Sequence, residues 1–342
     1  MQKMSFFNVN GNISRGAYEE AEFSSAQSFA KHLDYLGIDR SLVWHVMARD
    51  LSPVQGNRKL LKEISDAGLE KRLLPAFIVT PACFFEYCVM DFKKSCFRDN
   101  RVRALRIVPD VSRFPIREIE RVLSELAKFE PAVFWDGKHV NNALDIRDME
   151  YLAVKFPGVS FVITQKMWGS FNSVLDLMWR CPNVYVDTSW LHMRDTLELL
   201  TENFGVERVL FGVGFKSHYG AAIAALAHAR LTEAQRGLIA HGNIERILKL
   251  DPVPGPLVQQ PDSAKEKHLW NMFREGKPVQ GVEIIDSHGH TPPHARGWVI
   301  QQQDLEKTIA AMESKMDSLG ISRLIVAPEA ALFGENFAGD AP

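Results

Sequence analysis

Cysteine is scarce here, and its spacing carries no metal chemistry. The 342-residue sequence holds four cysteines, Cys83, Cys88, Cys96 and Cys181, with no Cys-x-x-Cys pair. Structural zinc needs thiolates close enough to share one tetrahedral ion, and the Cys83/Cys88/Cys96 spacing matches no common zinc module. Reduced thiols, buried or half-exposed, are therefore expected. An excess of one charge is also lacking. Lys and Arg number 40 against 42 Asp and Glu, for a net charge of −2, which leaves no electrostatic footprint for nucleic acid or a membrane surface. No run approaches the roughly 18 apolar residues of a membrane span. The opening MQKMSFFNVNGN lacks the apolar stretch of a secretory signal. Neither nucleic acid nor membrane is expected as a partner, and a cytoplasmic address follows as the expectation.

What is present is a repeating rhythm. The 46% hydrophobic and 24% charged content suits a soluble globular chain, long enough for one barrel-sized domain plus a fragment. Eight short apolar runs read as strands: Ser5–Val9, Ser41–His45, Leu73–Val79, Ala104–Val108, Ala132–Trp135, Ser160–Thr164, Val184–Asp187 and Arg208–Gly212. Their continuous apolar character suits strands buried on both faces of a parallel sheet. Amphipathic stretches lie between them; Phe29, Leu33 and Leu36 recur at helical spacing, as do Ile119, Val122, Leu123 and Leu126. The predicted class is α/β, a (β/α)8 TIM-type barrel over residues 5–250, with an open doubly wound sheet as its rival.

Composition changes after residue 250. Pro252, Pro254, Pro256 and Pro261 precede a charged stretch, so residues 251–281 read as a linker. The earlier pattern then restarts. LDYLGIDRSLV holds Asp34, Leu36, Gly37, Ile38, Arg40 and Val43; MDSLGISRLIV holds Asp317, Leu319, Gly320, Ile321, Arg323 and Val326, each 283 positions later. Gly56 and Gly339 share that offset, and FFNVNGN (6–12) stands opposite IIDSHGH (284–290). Residues 282–342 are therefore expected to be the first β-α-β unit of a second barrel, an internal repeat. One such unit cannot bury its own sheet face. Weak packing, cleavage first between Asp251 and Gly281, and association through 282–342 with a partner subunit or a second copy are the expectations.

Beyond the barrel rhythm, NVYVDTS (183–189), RVLFGVGF (208–215) and HGNIERILKL (241–250) make the chain resemble the amidohydrolase-related family of metal-dependent hydrolases and decarboxylases. That resemblance implies a (β/α)8 barrel with its site at the C-terminal mouth. It further implies a His-x-His pair ending strand 1, a histidine after strand 5, an assisting histidine after strand 6 and an aspartate after strand 8. On a strand, residues i and i+2 point to the same side, so two such imidazoles converge on one ion.

Carried onto the first barrel, each position is altered. Asn10 and Asn12 replace the histidine pair, Trp135 or Asp136 stands after strand 5 with no histidine before His139, Gln165 follows strand 6, and Gly214 takes the aspartate position. A neutral amide is a poor ligand beside imidazole or carboxylate, and glycine offers none. The first barrel is therefore expected to hold no metal and to be non-catalytic, a pseudoenzyme. Its Asn10, Asn12 and Gln165 amides, each donor and acceptor, are the expected pocket for a small-molecule ligand. Asp187 and Asp136 are the candidates for metal-free acid/base chemistry. His45, Asp110 and His218 at strand ends read as caps and loop supports. The repeat differs: Asp286, His288 and His290 keep the two-imidazole pattern, with His294 as a loop residue. A divalent metal, zinc by expectation, would need a complete second barrel, because two histidines alone hold metal loosely. There, metal-bound water would be the hydrolytic nucleophile. The rival expectation is a binding or scaffold barrel that pairs with a catalytic partner subunit.

Overall fold

The computed structural model describes residues 4–17, 21–85, 102–137, 143–165, 171–191, 195–251, 268–291 and 305–328. Eight strands follow one another in sequence order: β1 (Phe7–Ile13), β2 (Arg40–His45), β3 (Leu73–Ile78), β4 (Ala104–Ile107), β5 (Ala132–Asp136), β6 (Ser160–Thr164), β7 (Val184–Asp187) and β8 (Val209–Leu210). Every pair is parallel. The Val9 N–H donates to Phe211 O at 2.9 Å, which brings the chain beyond β8 back to β1. This is the barrel and not the open sheet.

The apolar runs divide by strand period. Phe7, Leu42, Trp44, Ile78, Ala104, Phe134, Val162 and Leu210 fill the interior. Their neighbours Phe6, Val43, Leu105, Val133, Phe161 and Val186 meet the helical layer. In that layer α1 (Ala26–Leu36) buries Phe29, Leu33 and Leu36, with Ser25 as N-cap and Gly37 at φ 74° as C-cap. Gly37 takes that conformation without the Cβ clash other residues meet. The motif HGNIERILKL closes the barrel floor: Ile244, Ile247 and Leu248 join the interior cluster, and Asn243 Nδ2 donates to Val206 O and Val209 O.

Strand bounds shift most from the sequence reading at β1 and β8. β1 runs on to Ile13 through a register shift between Asn8 and Gly11, a bulge that fits only glycine. A Cβ at Gly11 would lie 2.7 Å from Ser41 Oγ and 2.9 Å from Leu42 O. β8 is cut short because the Thr188 hydroxyl takes both the N–H and the C=O of Gly212.

The stretch expected as a linker contains a helix, α2 (His268–Arg274), while Pro252, Pro254, Pro256 and Pro261 lie outside the described residues. Trp270 packs on the outer core. Arg274 is buried, donates through Nη2 to Met4 O and Gly37 O at 2.9 and 2.6 Å, and is lowered by burial to about 10. Beyond it, β9 (Ile285–Thr291), α3 (Leu305–Leu319) and β10 (Arg323–Pro328) form a two-stranded parallel sheet with its helix.

This small unit shares its register and several backbone hydrogen bonds with β1-α1-β2. Asn8 pairs with Ser41 and, after the bulge, Gly11 with Val43; Asp286 pairs with Leu324 and, after its own bulge, Gly289 with Val326. The Asn10 N–H donates to Asn8 Oδ1 at 3.1 Å, and the His288 N–H to Asp286 Oδ1 at 3.0 Å. Gly37 N–H to Asp34 O recurs as Gly320 N–H to Asp317 O, and Ile38 N–H to Leu33 O as Ile321 N–H to Met316 O. The covering differs. Phe7 and Val43 are fully buried, whereas Ile285 and Val326 are 51% and 41% exposed. Among the described residues no helix is long and apolar enough to cross a membrane.

Candidate functional site

The strand C-termini converge on a cavity of about 300 Å³ whose lining includes Asn12, Trp44, Arg49, Asp136, Gln165 and Phe215. Its polar floor is set by strand alternation. In β4, Ala104, Arg106 and Val108 share the interior phase, so Arg106 stands inside the barrel, 1% exposed. Its Nη2 donates to Thr164 Oγ1 at 3.1 Å. Burial lowers its pKa, and the charges of Asp136 and Asp187 oppose that.

Asp187 is the second buried charge. Its Oδ1 accepts the N–H groups of Gln165 and Ser189 at 3.1 and 3.2 Å, and Oδ2 accepts the Ser189 hydroxyl at 2.7 Å. Gly212 lies so close that a Cβ there would sit 2.1 Å from Oδ2. Burial raises its carboxyl from 3.8 to about 7, against the hydrogen bonds from Ser189 and Gln165 and the Arg106 charge. Near neutral pH this group holds or releases a proton according to its surroundings.

The amides have separate fates. Asn8 is wired into the fold: Oδ1 accepts from the Asn10 and Val213 N–H groups, and Nδ2 donates to Ser41 Oγ and Tyr219 Oη. Asn10 is buried, with Nδ2 donating to Ser189 Oγ at 3.4 Å and Oδ1 without a partner. Asn12 and Gln165 face the cavity. Gln165 holds φ 56°, a strained conformation for a side-chain-bearing residue, with its N–H on Asp187.

The expected site residues are thus partly gathered. Asn12, Asp136 and Gln165 line the cavity, whereas Asn10 and Asp187 lie in the buried layer. His45 caps the short helix Val46–Asp50, its Nδ1 accepting the Met47 N–H at 3.0 Å. His139 and His294 lie outside the described residues. His288 is an exposed residue of β9, and His290 belongs to the same strand. Sequence reasoning missed Arg106, Trp44, Arg49 and Ser189. The signal for Arg106 was available: an arginine on the interior phase of an otherwise apolar strand.

Residues 75–250 match the family model described as Amidohydrolase. The chain belongs to the amidohydrolase family. No curated protein matches it. Its barrel is similar to that of 5-carboxyvanillate decarboxylase from Sphingomonas paucimobilis, at TM-score 0.56 and 10% identity, over 73% of this chain and 100% of that one. A 5-carboxyvanillate decarboxylase from Novosphingobium aromaticivorans, complexed with manganese and 4-hydroxy-3-methoxy-5-nitrobenzoic acid, gives TM-score 0.56 at 10% identity, covering 73% and 96%. 2,6-Dihydroxybenzoate decarboxylase complexed with 2,6-dihydroxybenzoate gives 0.52 at 13%, covering 74% and 100%. At these identities the likeness is one of fold.

Manganese in one of these structures indicates a divalent metal within the family. The described donors at the mouth of this amidohydrolase barrel do not fit such an ion. Among the described residues no three His, Cys, Asp or Glu side chains come together to hold one. At Gly214 even a Cβ would lie 3.2 Å from Gln165 Cγ and Cδ and 3.3 Å from Trp190 Nε1. An aspartate there would first have to displace both side chains.

Proposed function

We propose that the 5–250 barrel is a metal-free, non-catalytic member of the amidohydrolase family that keeps its mouth as a pocket for a small polar ligand. The observation that carries this is the replacement of ligating side chains by amides with unused hydrogen-bonding capacity: Asn12 and Gln165 line the cavity without a side-chain hydrogen bond among the described residues, and in the buried layer Asn10 Oδ1 has no partner among them. Such a group costs free energy unless something bonds to it. Asp187 has both oxygens engaged by protein donors and serves to position the Gln165 and Ser189 backbone. Asp136, with Glu22 and Asp110, is a carboxylate on the cavity wall.

Residues 282–342 are, on this proposal, the opening of a second barrel in tandem with the first, after a linker within 251–281. The matched register and paired bulges of β1-β2 and β9-β10 support it. His288 and His290 would be two of its divalent-metal ligands, with the remaining shell supplied by the rest of that barrel. A second reading, a scaffold barrel that engages a catalytic partner subunit or another copy through 282–342, is favoured by the 60% exposure of Ile325 on β10.

A metal titration of the Asn10→His/Asn12→His variant tests the metal-free reading. The variant is expected to bind zinc and manganese no more tightly than the parent chain, because Gly214 still leaves the shell open and tight sites use three or four ligands. A gain of one stoichiometric metal from these two substitutions would show that the shell was nearly intact, and would sink the proposal.

A further inference from the structure

The unused polar groups at the mouth also define what kind of ligand fits, given that the barrel is a ligand pocket at all. The side-chain amides of Asn12 and Gln165 line the cavity and make no hydrogen bond among the described residues. Trp44, 4% exposed and on the same wall, has an indole N–H without a partner. The guanidinium carbons of Arg49 and Arg106 lie 5.5 and 5.4 Å from its ring centroid. Each amide supplies a donor and an acceptor, so the complement is a ligand edge carrying both.

Charge decides against an anion. The lining carries Glu22, Asp110 and Asp136 against Arg49, whose Nε already donates to Asp50 Oδ1 at 2.5 Å. Deeper in, the Arg106 charge is opposed by Asp136 and Asp187. Arg106 itself is outside the lining, so at the wall a ligand carboxylate would meet three carboxylates and one arginine already bonded to Asp50, and like-charge juxtaposition is strongly discriminating. Phe215, with Val46, Val108 and Val111, gives the wall an apolar side that suits a planar ring.

We infer that this pocket takes an uncharged planar ligand with an adjacent donor and acceptor, a carboxamide or lactam, in place of the aromatic carboxylates that name the similar decarboxylases. Benzamide and benzoate make the sharpest pair, since they share a shape and differ in charge and in the donor. Ligand-observed NMR and calorimetry on the full-length chain should find benzamide bound at least about tenfold more tightly than benzoate. In Asp136→Asn the gap should narrow, through stronger benzoate binding. In Asn12→Leu/Gln165→Leu benzamide should lose its advantage. Benzoate binding as tightly as benzamide to the unaltered chain would overturn the inference while leaving the pocket reading in place. Failure of both compounds to bind at millimolar concentration would overturn the pocket reading, and the inference with it.

Discussion

Asp187→Ala is expected to lower the free energy of unfolding by about 3–5 kcal/mol, the range seen when one partner of a buried charge cluster is removed. Three hydrogen bonds end on this carboxyl, from the Gln165 N–H, the Ser189 N–H and the Ser189 hydroxyl. Above about pH 7, where the carboxyl is charged, its removal also leaves the buried Arg106 short of a counter-charge. Asp187→Asn keeps the shape and an acceptor, so its cost should be smaller and should change with pH. Burial raises the Asp187 carboxyl from 3.8 to about 7, so between those values the folded chain holds a proton that the unfolded chain releases. Its stabilising contribution is full below about pH 3.8 and is lost as pH rises through about 7; the interval corresponds to roughly 4 kcal/mol at most. Urea denaturation at pH 5 and pH 8 should therefore show the native chain losing stability relative to Asp187→Asn as pH rises. A relative gain would mean the carboxyl is stabilised in its charged form.

The second large effect is steric. Gly56 lies in the helix Pro53–Asp66, and a Cβ there would sit 2.2 Å from Ala48 N and 2.4 Å from Ala48 Cα. Backbone cannot yield as a flexible side chain does. Helix propensity alone favours alanine over glycine by about 1 kcal/mol, but overpacking of this kind costs about 3 kcal/mol, so Gly56→Ala should destabilise on balance. Gly237, also helical, has nothing within 4 Å of its would-be Cβ, and Gly237→Ala should raise the thermal midpoint. Equal shifts from the two substitutions would refute the packing argument.

The barrel was legible because strands buried on both faces read as continuous apolar runs, and eight of them alternate with amphipathic helices. The expected β6 and β7 bounds, Ser160–Thr164 and Val184–Asp187, are those observed. Asn12, Asp136, Gln165 and Gly214, picked out by the resemblance, do lie at or just past strand ends. Less legible was which amide does what. Asn8 looks like another polar residue in FFNVNGN, yet it ties β1 to Ser41, Val213 and Tyr219, contacts made across as many as 211 positions of sequence. Asp187 was visible as a charge, but its proton affinity depends on Gly212 leaving room for it and on Arg106 standing in the same layer. Neither condition is local. The constant offset of 283 is legible in the sequence; that β9-β10 and β1-β2 share a register with bulges at Gly11 and Gly289 is backbone geometry that sequence alone does not carry.

Elemental analysis of the full-length chain beside its His288→Ala/His290→Ala variant tests the central claim most directly, after loading both with zinc and manganese and desalting. If the 5–250 barrel is metal-free, the variant should retain neither metal in stoichiometric amount, and any loosely held ion in the parent chain should vanish with the two imidazoles. One tightly held metal per chain in the variant would contradict the account, because it would show a working metal site that does not use His288 or His290.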